Sequence, residues 1–179
     1  MTTIVAIQYE DKVIMGADSL TTGDRKYSHP KIAKITKRNN YLIGGSGLAE
    51  ACDIAQHIWS PPTPTTADRK DLYHFMISKV IPSLKKCFKD NQYDWQKDES
   101  EKDPNFAFLI AVGGQVFDIS DDFSVMLDDS GVYGVGHGSP LAIGAIHAGA
   151  SMEEALEIAA RFDPYTAAPF LIFEQGKRG

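Results

Sequence analysis

The chain opens Met1-Thr2-Thr3-Ile4-Val5, and Thr2 is the first residue whose position could make it reactive. Methionine aminopeptidases act where the second residue is small, so Thr2 is expected to become the first residue of the mature protein. It would then carry a hydroxyl and a free α-amine together. An α-amine titrates near about 7.7–8.0 and a lysine amine near about 10.4, so the terminal amine alone is substantially neutral around pH 7. It can act as the base for its own hydroxyl. On these letters alone the ordinary reading is a start codon before a β-branched strand. Further residues of chemical interest are Asp18 in Gly16-Ala17-Asp18-Ser19, Lys34 with apolar Ile32 and Ile35 nearby, and Gly44-Gly45-Ser46-Gly47 directly before a helix-patterned run. Singly, each has a plain explanation: a turn aspartate, a solvated strand lysine, glycines serving backbone geometry.

A nucleophile at a chain end must be held rigidly, and the elements around it are suited to that. Thr3–Tyr9 and Lys12–Ala17 are β-rich runs about a Glu10-Asp11 turn, so the first strand starts at the terminus. A polar loop leads to Lys31–Ile35 and Asn40–Gly44, a second strand pair, which the Gly44–Gly47 run is expected to break. Leu48 to Trp59 has helical spacing and stops at Ser60-Pro61-Pro62. Asp71 is expected to cap a long helix through Lys89, kinked at Pro82. Asp94 to Asp103 reads as a surface loop, and Phe106–Val112, Gln115–Ile119, Phe123–Leu127 and Gly131–Val135 as a β-meander. Helices follow at Leu141–His147 and Met152–Phe162, the latter opened by the capping-box pattern Ser151-Met152-Glu153-Glu154, and Pro169–Glu174 is a last strand. Strands and helices segregate, which argues for an α+β fold with two packed sheets and helices outside them.

At 179 residues the chain is expected to form one domain, residues 1–179, with a core of its own. No apolar run approaches the roughly 20 residues that span a membrane, and the basic residues are scattered in a chain of net charge −6. Neither a membrane nor nucleic acid is expected as a partner. Cys52 and Cys87 lack metal-ligand spacing and read as buried thiols, fitting a reducing cytosol. The start lacks a secretory leader, so a cytoplasmic location is expected. The histidines form no metal constellation, and no phosphate-binding glycine pattern is present. No metal and no cofactor are expected, and any use of ATP would fall to a partner.

Together, the opening threonine, the hairpin ending in Gly16-Ala17-Asp18-Ser19, Lys34 and the turn at Gly44–Gly47 resemble the proteasome β-subunits and the HslV-type peptidases, members of the N-terminal-nucleophile (Ntn) hydrolase superfamily. Thr2, Asp18 and Lys34 keep that family's separations without a gap. Farther on, Gly136-His137-Gly138-Ser139-Pro140 stands at its Gly-Ser-Gly, and Arg161-Phe162-Asp163-Pro164-Tyr165-Thr166 at its Arg-Asp-x-x-Ser segment. The resemblance spans most of the chain and is weakest from Trp59 to Asp103.

This resemblance implies a four-layer αββα sandwich of two antiparallel sheets flanked by helices. It also implies a threonine-type endopeptidase in which Thr2 Oγ attacks the scissile carbonyl, with the α-amine as base. Lys34 would lower the pKa of amine and hydroxyl, and Asp18 would keep Lys34 charged and aimed. The Gly47 N–H would stabilise the oxyanion, and Asp163 and Thr166 would orient the amine. His137 replaces the family's serine, and Ala167-Ala168 its glycine pair. By positional analogy Thr21, Ile32, Thr36 and Ala49 would wall the substrate pocket. The implied partners are polypeptide substrates, further copies of the chain in stacked hexameric or heptameric rings, and a separate ring ATPase. The same residues also admit an Ntn amidohydrolase acting on a small amide, or a non-catalytic ring subunit.

Overall fold

A computed structural model describes residues 1–22, 26–28, 33–95 and 106–177. Its strands are β1 (Ile4–Gln8), β2 (Lys12–Ala17), β3 (Leu20–Thr22), β4 (Lys26–Ser28), β5 (Ile35–Arg38), β6 (Tyr41–Gly47), β7 (Phe106–Val112), β8 (Gln115–Ile119), β9 (Val125–Met126), β10 (Val132–Val135) and β11 (Leu171–Gly176). They form one sheet in the order β10-β1-β2-β11, a second in the order β5-β6-β7-β8-β9, and a small ribbon of β3 and β4. All pairings are antiparallel.

Strand alternation explains how the layers meet. Ile4 and Ala6 of β1 and Val13, Met15 and Ala17 of β2 join Leu42, Leu109, Ala111 and Val116 of the other sheet in one buried cluster. The opposite residues of the second sheet, among them Tyr41, Ile43, Phe108 and Ile110, pack under Ile54, Trp59, Phe75 and Phe88. Val5 and Ile7, on the outer face of the first sheet, pack under Ala142, Met152, Leu156 and Ala159. The helices that supply these faces are α1 (Ala49–Asp53) running into a π-helical turn at Ile54–Ile58, α2 (Leu72–Phe75), α3 (Ile81–Asp90), α4 (Ser139–His147) and α5 (Met152–Phe162). None is long and apolar enough to cross a membrane.

Several expectations are met. The first hairpin, β7, β8 and α5 lie where the periodicity puts them, the Asp71 side chain caps α2 by accepting from the His74 N–H, and Ser151 and Glu154 form the capping box. Between α2 and α3 the chain takes a π-helical turn at Met76–Val80, directly before Pro82. Proline has no N–H to donate and its ring crowds the preceding turn, so the ladder loosens there.

Other expectations need correction. Gly44–Gly47 does not break the sheet: β6 continues through Gly47, which pairs with Phe106. The glycines serve close packing instead. A Cβ at Gly44 would sit 3.1 Å from Ile4 and 3.2 Å from Met15, and one at Gly45 3.0 Å from Cys52 Sγ. Val132–Val135 leaves the meander and pairs with β1 in the other sheet, because its buried residues Tyr133 and Val135 belong to the cluster between the sheets. The polar loop after Asp18 contains the β3–β4 ribbon, which polar sequence did not announce. The strand expected at Lys31–Ile35 has residues 31 and 32 outside the described residues, and described strand begins at Ile35. Most of the expected Asp94–Asp103 loop also lies outside them.

Candidate active site

Thr2 is buried immediately before β1, at the edge of a cleft of about 430 Å³ lined by Met1, Thr2, Ser46, Gly47, Phe106, Ala107, Gly136 and His137. Two strands hold this end of the chain. Beyond Ala17, the β1–β2 register brings Asp18 to Thr3: the Asp18 N–H donates to the Thr3 carbonyl at 3.1 Å, and the Thr3 N–H donates to Asp18 Oδ1 at 2.9 Å. From β10 the backbone closes in at Gly136, where φ is +93° and a Cβ would collide with the Thr2 carbonyl. Only glycine permits that approach.

Asp18 and Lys34 form a buried ion pair, with Lys34 Nζ 2.6 Å from Asp18 Oδ1 and side-chain exposures of 10% and 0%. Nζ also donates to the Leu20 carbonyl at 2.6 Å and to the Met1 carbonyl at 3.2 Å. The Met1 carbonyl oxygen is two bonds from the Thr2 nitrogen, so the ammonium stands beside the group that Met1 removal would turn into an amine. Burial draws the Lys34 amine below its ordinary range, against the opposing pull of Asp18. Burial, followed by the Lys34 charge, likewise lowers the present amino terminus. Both effects favour a neutral amine, the form that can accept a proton.

Asp18 Oδ2 accepts from the Leu20 N–H at 3.0 Å and the Ala167 N–H at 3.4 Å. The Ser19 N–H in turn donates to the Ala167 carbonyl at 3.2 Å, so the two backbones approach here with alanine in place.

Asp163 and Thr166 form a second group beside the first. The Thr166 hydroxyl donates to Asp163 Oδ2 and lies 2.5 Å from the Thr3 hydroxyl. Asp163 Oδ1 accepts from the Tyr165 N–H at 3.2 Å and lies 2.9 Å from His137 Nδ1. Burial opposes ionisation of Asp163, but the bonds from Thr166, Tyr165 and His137 outweigh it and hold the carboxyl below the usual range. Asp163 and Thr166 reach the chain start through Thr3, a link not anticipated from sequence.

Gly47 ends β6 at φ +107° on the cleft wall. Among the residues expected to wall a substrate pocket, Thr36 is half-buried with its hydroxyl donating to the Gln56 carbonyl at 3.3 Å. Thr21 is exposed in β3 opposite Tyr27, Ala49 is exposed at the start of α1, and Ile32 lies outside the described residues. The cleft at Thr2 is itself lined by Ser46, Phe106, Ala107 and His137.

Gln56 was not singled out from sequence. It is buried, and its Nε2 donates to the Lys34 carbonyl at 2.5 Å and the Ile43 carbonyl at 3.1 Å. A polar residue amid the buried stripe Ile54-Ala55-Gln56 was the available signal. Burial pushes the Cys52 thiol up to about 12, so it stays protonated. Among the described residues no three His, Cys, Asp or Glu side chains are grouped to hold a metal ion.

The ATP-dependent protease subunit HslV of Syntrophobacter fumaroxidans (strain DSM 10017 / MPOB) is 28% identical over 188 residues, 97% of this chain and 95% of that protein. Thiobacillus denitrificans BPH has the same fold at TM-score 0.74 and 19% identity over 97% of both chains. This chain is thus similar to an HslV-type protease subunit over nearly its whole length and shares its fold with solved structures of that type. A second Thiobacillus denitrificans BPH structure, in complex with epoxomicin, matches at TM-score 0.72 and 20% identity over 97% of this chain and 98% of that one. Eukaryotic HslV from Trypanosoma brucei matches at 0.63 and 16% over 97% and 99%. No protein-family model matches the chain. The HslV-type fold accounts for both the antiparallel sheets and the flanking helices.

Proposed function

We propose that this protein is a threonine-type endopeptidase of a self-compartmentalised, proteasome-like complex, with Thr2 as the nucleophile once Met1 is removed. The observation that carries the reading is the buried Lys34 ammonium, held by Asp18 at 2.6 Å and donating to the Met1 carbonyl at 3.2 Å. Likeness to a protein named as an ATP-dependent protease subunit, and to a fold solved in complex with epoxomicin, supports it.

In this reading the Thr2 Oγ attacks a peptide carbonyl while the α-amine takes its proton and passes it to the departing amine. Lys34 keeps the amine neutral and stabilises developing negative charge on Oγ, and Asp18 aims Lys34. The Gly47 N–H faces the oxyanion, where one lost donor typically costs about 2.7–4 kcal/mol of transition-state stabilisation. Asp163 and Thr166 fix the chain start through Thr3. Thr21, Ile32, Thr36 and Ala49 contribute to the substrate wall.

The chain is one domain whose packed layers form the four-layer αββα sandwich. Copies close into stacked hexameric or heptameric rings, since repeated heterologous contacts close when the rotation permits. A separate ring ATPase feeds polypeptides to the enclosed sites, and the assembly works in the cytoplasm.

Intact mass of the natively expressed protein, combined with peptide hydrolysis by wild type and Thr2→Ala, tests the reading. The expected results are a protein lighter by one methionine and a variant that assembles but cleaves nothing. Hydrolysis retained by Thr2→Ala would overturn it.

A further inference from the structure

His137 and Thr2 line one cleft, His137 from the turn between β10 and α4. β1 and β10 pair Val5 with Gly134 and Ile4 with Val135, and the chain then turns at Gly136, φ +93°, past the Thr2 carbonyl, so that His137 follows on the wall of the cleft that Thr2 lines. Close approach of the Gly136 backbone to the Thr2 carbonyl agrees with this. The imidazole is 52% exposed and lines the same cleft as Thr2, whereas the Asp163 carboxylate behind it is 1% exposed. The Tyr165 ring packs edge-on against His137, with centroids 5.2 Å apart.

The hydrogen bonds determine where the protons lie. Asp163 is ionised at neutral pH, because the bonds it accepts hold its carboxyl below the usual range despite burial. An ionised carboxylate can only accept, so the 2.9 Å contact requires a proton on His137 Nδ1. In the neutral ring the lone pair is then on Nε2. The Thr166 hydroxyl is likewise committed to Asp163, which makes Thr3 the donor in the 2.5 Å Thr3–Thr166 contact. Both chains of donors end on one buried carboxylate, and one of them leaves a basic nitrogen on an exposed ring beside the nucleophile.

We propose that His137, oriented by Asp163, is the general base that activates water to release the acyl group from Thr2. This rests on Thr2 being the nucleophile. Water oxygen bonds to the carbonyl carbon of the Thr2 ester while a water proton passes to His137 Nε2. The bond from that carbon to Thr2 Oγ then breaks, Nε2 returns the proton to Oγ, and a carboxylic acid departs. Enzyme and imidazole end as they began. The amine on Thr2 serves the hydroxyl in the first half-reaction, and the imidazole serves the water in the second. Among the described residues, the ionisable groups against the ring are Asp163 and Tyr165 from the α5–β11 connection, with the amino terminus on the same cleft and the Lys34–Asp18 pair behind it.

The test uses assembled protein whose loss of Met1 has been verified by mass, and a peptide ester with a chromogenic leaving group, so that acylation is fast and turnover reports acyl release. His137→Ala is expected to release the first equivalent of chromophore at close to the wild-type rate and then turn over about 100-fold more slowly, the lower range for a lost general base. A Thr2 acyl adduct should be visible by intact mass, added imidazole should restore turnover, and the acid limb of the wild-type kcat profile should disappear. His137→Ser, which keeps a small polar residue between the glycines, provides the same readout if the alanine variant fails to fold. Unchanged turnover and pH profile, or slow turnover without adduct or imidazole response, would overturn the role of His137 and leave Thr2 as nucleophile. Turnover surviving in Thr2→Ala would overturn the nucleophile assignment and this proposal with it.

Discussion

Lys34 Nζ donates to the carbonyl of Met1 at 3.2 Å while bound to Asp18 at 2.6 Å. A cation carried just ahead of β5 thus meets the bond that methionine removal would cut. With Met1 gone, that donor would lose its carbonyl acceptor beside the new amine.

Lys34→Ala is expected to abolish measurable peptide hydrolysis and also to lower stability, because it leaves the buried Asp18 carboxylate without its cation. Loss of one partner from such a pair costs about 3–5 kcal/mol. Replacing both groups, as Asp18→Asn with Lys34→Met, should recover most of the stability in a urea titration without recovering activity. Activity in the double variant would show that the pair serves the fold alone.

Gln56→Leu removes the side chain that donates to the carbonyls of Lys34 and Ile43. The Lys34 carbonyl keeps its bond from the Gly45 N–H, so the loss is that of ordinary hydrogen bonds, about 0.5–1.5 kcal/mol each. The expected outcome is that loss of stability and a fall in kcat with KM little changed, since Lys34 is held less firmly while the cleft walls stay in place. A fall in stability with kcat intact would remove Gln56 from the positioning of Lys34.

Gly136→Ala should be more damaging than its size suggests. The residue has φ +93°, and its Cβ would collide with the Thr2 carbonyl, so the start of β1 must move. A stability loss of about 1–3 kcal/mol and loss of hydrolysis are expected. An active variant with unchanged melting temperature would contradict the close approach.

Asp118, in β8, has its carboxyl pushed up to about 6 by burial. Its folded pKa is above the unfolded value, so the native state holds the proton more tightly. Stability therefore falls as pH rises from the unfolded value through about 6, and the penalty is fully present above that range. Asp118→Asn should raise the melting temperature at pH 8 by about 2–4 °C, for roughly 1 kcal/mol after allowance for solvent screening. It should do little at pH 3.5. An equal shift at both pH values would refute the titration.

Much of the fold was legible because the signals are local. Alternation marked β1, β2, β7 and β8, and the Ser151–Glu154 capping box marked the start of α5. Gly44–Gly47 misled because glycine looks the same whether it ends a strand or makes room for Ile4, Met15 and Cys52 from neighbouring layers. Val132–Val135 was joined to the wrong sheet for a related reason: a short β run states its periodicity but not its partner.

For the site, the sequence by itself determined which candidate residues are present and their order: Thr2 near the start, then Asp18, Lys34, Gly47, His137, Asp163 and Thr166. Only the tertiary structure decided that Asp18 and Lys34 meet in a buried pair, that Asp163 holds both His137 and Thr166, and that Gln56 grips the Lys34 backbone. The physical reason is that periodicity and capping act over a few residues, whereas hydrogen bonds between segments as far apart as Thr3 and Thr166 exist only once packed sheets bring those segments together.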